Sequence, residues 1–346
     1  MTRRLTPAAF AFALGALLTT PAMAQSKITL RFADSLPQSH LFTTELAKPF
    51  MEQVTRATNG AVTFEHYPAE QLGKAKDMLS LARTGVADIA FVVPIYITDK
   101  LPLSGVIDLP GGFSNSCDGV KAYWRLATGN GILAAKDYAP NGIRILMAVV
   151  QPPFQIFTTT RKIETLHDLE GLKLRTAGGA QELTADKLKI VSVKITAPET
   201  NEAMGRGTID GGILAHVSIG AYGLTNMIKY ATKGENFGSA ALTWAISETK
   251  WKSLPPDVQK VMAETGERIT MEACRKIDQG VDEQLDAWRK SGISIVEFSQ
   301  TDHAALRKVF EEVGEDWAKR LDQRGKPGTD TLKAFHDALG QGKPGQ

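Results

Sequence analysis

Arg175 is the residue in this sequence best placed to do chemistry. It lies in the stretch "HDLEGLKLRTAGGAQ", His167 to Gln181. Leu172 and Leu174 alternate with Lys173 and Arg175, which predicts a short strand ending on Arg175. Thr176-Ala177-Gly178-Gly179 follows, and a helix is expected from about Ala180. Ligands of open α/β sheets bind beyond the carboxyl ends of strands. Glycines admit close backbone approach, and a helix N-terminus favours an anion. A planar guanidinium grips a carboxylate through two parallel hydrogen bonds. Together these features describe an anion site. The competing reading is an arginine in a surface salt bridge.

Other polar residues follow expected strands in the same way. His40, in "SLPQSHLF", follows the first strand and could donate to a carboxylate or pack its loop. Tyr96 follows the third strand with Pro94 and either lines a pocket or packs. His216 follows a strand near Ile209–Leu214 and is either a donor or a structural histidine. Trp124 and Trp288 sit in helical patterns and read as core, and Lys74 reads as solvated. Gly205, Gly207, Gly211 and Gly212 do not form GxGxxG between a strand and a helix. The six histidines include no HExxH, and no GxSxG is present. With no nucleophile–base pair or metal set to point to, the chain reads as a non-enzyme for which no cofactor or metal is expected.

The elements that must position these residues alternate. Ile28, Leu30 and Phe32 face one way and Thr29 and Arg31 the other, a strand. A helix is expected over roughly Phe42 to Thr58, with Pro49 inside it. Ala61–His66 is a strand, Lys76–Arg83 a helix, and Ile89–Val93 an apolar strand covered on both faces. A second set holds Ile143–Val150, Gln155–Thr159, Lys173–Arg175, Ile190–Ile195 and a helix from Glu199 to about Arg206. Such alternation signals α/β sheets with right-handed crossovers, and two sets suggest two lobes facing across a cleft. After Pro255-Pro256, Asp257 to about Lys290 has a helical pattern long enough, at roughly 50 Å, to cross both lobes. The alternative is two helices broken at Gly280. A further amphipathic helix covers about Thr301–Arg320, and the final GQGKPGQ reads as disordered.

The chain begins MTRR, an apolar run of 14 residues (Leu5–Leu18) and TTPAMAQ, which reads as a secretory signal cut after Ala24; a membrane anchor is the alternative. The 40 basic residues include Arg3 and Arg4, so removing the signal leaves 38 against 38 acidic residues. That balance gives no nucleic-acid footprint and no polybasic membrane patch. Cys117 and Cys274 either pair, as an oxidising compartment allows, or are buried thiols.

Four motifs carry a resemblance. "HYPAEQLGKAKDMLSLARTGVADIAFV", "DLEGLKLRTAGG", "PETNEAMGRGTIDGGIL" and "WKSLPPDVQKVM" stand in an order and spacing that resemble the periplasmic solute-binding subunits of TRAP (tripartite ATP-independent periplasmic) transporters, of the dicarboxylate-binding-protein type. The resemblance covers nearly the whole chain after the signal. It implies a two-lobe periplasmic binding protein fold with a hinge, a long helix spanning both lobes, and closure on an organic acid clamped by Arg175. On it the chain divides into 1–24 signal peptide, 25–152 plus 237–280 as lobe I, and 153–236 plus 281–346 as lobe II. Its partners would be a small organic acid and the small and large membrane subunits of a transporter, with no nucleic acid and no membrane contact except through the permease.

Departures from the family pattern bear on the ligand. Sialic-acid-type members carry a second arginine where this chain has Gln155. Many carry an asparagine after Asp-Gly where this chain has Leu214, and Thr-Asn-His is replaced by Glu235-Asn236-Phe237-Gly238. Burying an unpaired charge at such places is costly. The expected ligand is therefore a monocarboxylate with an aromatic or hydrophobic body, packed on Phe157, Leu214 and Phe237, with His40, Phe42, Tyr96 and His216 as further contacts. The alternatives are a dicarboxylate or sugar acid, a sensor presenting ligand to a receptor, and a secreted enzyme acting on small acids.

Overall fold

Apolar alternation and apolar runs build two sheets. The computed structural model describes residues 27–340; the expected signal segment and the tail after Gly340 lie outside the described residues. The first sheet takes β1 (Ile28–Ala33), β2 (Val62–Tyr67), β3 (Ile89–Val92), β4 (Ile143–Val150) and, much later in the chain, β10 (Ala241–Ser247). Its order is β2-β1-β3-β10-β4, parallel except for β10, which runs antiparallel to both neighbours. The second sheet takes β5 (Gln155–Thr158), β6 (Lys173–Thr176), β7 (Val191–Lys194), β8 (Gly211–Leu214), β9 (Tyr230–Thr232) and β11 (Ser294–Val296), in the order β11-β9-β5-β8-β6-β7.

Helices α1 (Lys48–Ala57), α2 (Met78–Arg83) and α3 (Ser116–Ala127) belong to the first lobe. The second lobe holds α4 (Ala180–Lys187), α5 (Thr200–Gly205) and α6 (His216–Ile219). The expected helix from Phe42 runs without interruption to Ala57, widened to a π turn at Thr43–Ala47 before α1 begins. Pro49, which has no N–H to give, sits where the widened turn meets α1.

Two connectors join the lobes side by side. Gln151 N–H donates to the Ala240 carbonyl at 3.0 Å, Phe154 N–H to Gly238 at 2.8 Å, and Phe237 N–H back to Phe154 at 3.1 Å. A short helix α7 (Glu248–Ser253) leads into α8 (Pro256–Lys290), 35 residues without a break. Its early turns pack on β4, α1 and α3, and its late turns on α6 and β11, so it spans both lobes. Gly266 is required there: a Cβ would stand 2.0 Å from the Leu146 carbonyl oxygen. Gly280 lies against Leu41 and Val217, and the helix runs through it.

Cys117 on α3 and Cys274 on α8 form a disulfide. Beside it Asp278 accepts the Ser116 N–H at 2.7 Å and the Cys117 N–H at 3.3 Å, so α8 also ties down the start of α3. The chain ends with α9 (Gln300–Gln323), which packs on α4, and α10 (Gly328–Ala338), which packs on α3. The C-terminal pair thus reaches both lobes.

Candidate ligand-binding site

Arg175 sits in β6, one residue before the end of the strand, because Thr176 extends it. Strand register fixes what lies beside it. Phe157, Gly212 and Arg175 stand opposite one another across β5, β8 and β6. A Cβ on Gly212 would be 2.8 Å from Phe157 Cζ and 3.1 Å from Arg175 Cβ. The missing side chain therefore lets the Phe157 ring lie next to the stem of the arginine. Leu214, two residues along β8, shares that face.

Arg175 is only 1% exposed. Its Nε donates to the Ile195 carbonyl at 3.1 Å and its Nη1 to Ile213 at 3.0 Å. These bonds orient the guanidinium without neutralising it, and it makes no ion pair among the described residues. Burial pulls its pKa below the ordinary range, and the nearby Tyr96 and Tyr222 phenols and Glu199 act in the opposite direction. Glu199 itself is held by the Thr196 N–H and hydroxyl at 2.8 and 2.6 Å.

The first lobe supplies the facing wall. Tyr96 ends the short turn after β3, and its hydroxyl accepts the Ala197 N–H of the other lobe at 3.0 Å. His40 is buried; its Nδ1 accepts the Phe42 N–H at 3.2 Å, which leaves the proton on Nε2. That Nε2 has no partner among the described residues. Burial drives its pKa to about 4, so the ring is a neutral donor. Its ring centroid lies 4.6 Å from Phe42 and 5.6 Å from Tyr222.

Asp34 and Tyr222 are the residues that sequence reasoning passed over. Asp34 follows β1 directly, fully buried, and accepts the Leu36 N–H at 2.8 Å and the Trp244 indole N–H at 3.1 Å. Burial nevertheless pushes its carboxyl up to about 7. The Tyr222 phenol is raised well above its ordinary value, first by burial and then by Tyr96; Arg175 opposes the rise and Asp34 adds to it. The strand-end rule that singles out Arg175 applies equally to Asp34. Tyr222 carries no such signal, because it reaches the site through the loop after α6.

The remaining expected residues are engaged elsewhere. Gln155 pairs with Leu214, but its amide is engaged: Nε2 donates to the Glu235 carbonyl, and Oε1 accepts the Thr232 hydroxyl at 3.0 Å. His216 is buried with its ring 4.8 Å from Trp288 and its pKa pulled down to about 4 by burial. Both line a cavity of 1040 Å³ between the connectors, α8 and α9, which Arg175 does not touch. Many of its charges pair with one another, as His303 does with Glu235 and Arg289 with Asp286. Phe237 is fully buried against Phe298 and Phe310, at 6.1 and 5.8 Å, in the core and not at the arginine. The structure thus brings Arg175, Tyr96, Phe157 and Leu214 together, with His40 and Phe42 joined to them through Tyr222.

Comparison with known proteins bears on the family and the fold. The sequence profile of the bacterial extracellular solute-binding proteins, family 7, matches residues 32–320. The C4-dicarboxylate-binding periplasmic protein of Rhodobacter capsulatus is 25% identical over 358 residues, covering 99% of this chain and all of that one. A TRAP solute-binding protein of Rhodoferax ferrireducens, solved with copurified benzoate, superimposes with a TM-score of 0.84 at 23% identity, over 91% of this chain and 98% of that one. One from Bordetella bronchiseptica, solved with (R)- and (S)-mandelate, gives 0.82 at 22% identity, over 91% and 99%.

Proposed function

The chain belongs to the bacterial extracellular solute-binding proteins of family 7, and from that premise we propose that it captures an organic monocarboxylate with an aromatic or hydrophobic body and delivers it to the membrane subunits of a TRAP transporter. One observation carries the reading: a fully buried guanidinium, oriented by two carbonyls, makes no ion pair among the described residues. A buried charge is costly until it is paired, so a carboxylate entering beside Arg175 gains a strong, charge-assisted bond. The Tyr96 and Tyr222 phenols and the neutral His40 N–H are then further donors for its oxygens. Phe157, Leu214 and Phe42 offer the apolar wall for its body. The amide of Gln155 is occupied by the connector, which favours a single charge on the ligand over two.

Capture would proceed by rotation of the lobes about the connectors around residues 151–154 and 233–240. Tyr96 of one lobe meets Ala197 of the other, so the ligand's contacts are complete only when the lobes are shut. A ligand that binds this arrangement better than the open one shifts the population toward it. The closed form is then the one the membrane subunits would receive. Two neighbours in fold hold benzoate and mandelate, acids of the proposed class.

The test is a thermal-shift screen of the protein, without its signal segment, against aromatic monocarboxylates, dicarboxylates and sugar acids. Benzoate-like acids should raise the melting temperature, by the equivalent of about 2.7 kcal/mol at a hundredfold excess over Kd. Arg175→Ala should lose that shift while still unfolding cooperatively. Hits confined to dicarboxylates or sugar acids would overturn the ligand class. A shift that survives Arg175→Ala would remove the clamp.

A further inference from the structure

The seam where the lobes meet holds two polar side chains with unmet bonds. Asp108 ends the turn Leu103–Asp108 of the first lobe, is fully buried, and has no hydrogen-bond partner on either carboxyl oxygen among the described residues. Gln181 lies in the first turn of α4, in the second lobe, and is equally buried. Its Oε1 accepts the Ala177 N–H at 2.7 Å, but its Nε2 has no partner among the described residues. Glycines bring these groups together. A Cβ on Gly238, in the connector, would stand 2.7 Å from the Asp108 carbonyl oxygen and 3.6 Å from Gln181 Cγ. A Cβ on Gly179, at the start of α4, would stand 3.4 Å from Asp108 Oδ2.

Removing polar groups from water without giving them partners is unfavourable. Here the penalty falls on one arrangement of the lobes, because parting them admits water to both groups. We propose that Asp108 and Gln181 act as an opening spring: their unmet bonds disfavour closure, hold the ligand-free protein open, and set the affinity for ligand. Apparent affinity falls with the fraction of protein in the binding-competent state, so a penalty on closure is also a penalty on binding. Burial pushes the Asp108 carboxyl well above the carboxylate range, as expected where closure carries it away from water; Tyr123 and Tyr138 are the titratable groups that sense it. The inference rests on lobe closure as the mode of capture, but not on the identity of the ligand.

The experiment uses ligand-free protein, so a wrong ligand class cannot affect it. Single-molecule energy transfer between one dye on each lobe reads the closed fraction. Asp108→Asn keeps the shape but cannot ionise when the lobes part. Asp108→Leu removes the unmet polar atoms altogether. The closed fraction should rise in the order wild type, Asn, Leu, by about tenfold across the series. If the Leu variant does not fold, the Asn variant against wild type decides the question. A wild type already closed without ligand, or a closed fraction that stays level or falls in the variants, overturns the proposal.

Discussion

Arg175 and Asp34 are buried with opposite consequences. The arginine stays charged because no accessible pH deprotonates it, and the carboxylate proposed as its ligand would supply the ion pair that it lacks among the described residues. Asp34 can adapt by holding its proton. Its folded pKa is about 7 against a usual 3.8, with Tyr222 as the titratable neighbour across the site. Between those values the unfolded chain is ionised there while the folded chain still binds the proton. Asp34 therefore costs stability progressively as pH rises from about 4 to about 7, after which the cost is constant. Asp34→Asn should be more stable than wild type by a margin that grows over that window and then levels off. Urea denaturation of both proteins at pH 4.5, 6 and 7.5 checks this, and a margin that does not depend on pH would show that Asp34 ionises freely in the folded state.

At the scale of elements, Gly212 decides whether β5, β8 and β6 can present Phe157 and Arg175 together. Gly212→Val places carbon where the Phe157 ring now lies, 2.8 Å from Cζ even at Cβ. Overpacking of this kind typically costs about 1–3 kcal/mol. Ligand binding should weaken as well, and Phe157→Leu in the same chain should restore part of both losses. Chemical denaturation and titration calorimetry on the single and double variants read the coupling. Much at this scale was legible from sequence. β4 begins and ends where the apolar run Ile143–Val150 does, and α8 fills the proline-free pattern after Pro255-Pro256. Local periodicity suffices for those elements. It does not suffice for Phe237, whose ring partners Phe298 and Phe310 lie more than sixty residues away. Nor does it suffice for Gln155, whose position in β5 was evident but whose amide is claimed by Thr232 of β9 and Glu235 of the connector that follows it. Side-chain direction at a hinge depends on tertiary pairing, and single-sequence patterns carry none of it.

For the whole molecule, the disulfide pins the long helix to the first lobe. Cys117 and Cys274 enclose a loop with a sequence separation of 157, within which most of the second lobe is contained. Reducing the bond frees that loop in the unfolded chain and should cost roughly 3–5 kcal/mol of stability. A melting curve with and without a thiol reductant measures the loss. Ligand affinity should change little, since both cysteines sit on elements packed against the first sheet. The order of that sheet has a consequence for how the protein is made. β10 lies between β3 and β4, so a ribosome that has released the first 150 residues has supplied both flanks of a sheet and not its centre. β3 and β4 cannot finish pairing until residues 241–247 emerge, after five of the six strands of the second sheet. The edges of β3 and β4 that face β10 therefore have no strand to pair with until that late segment arrives.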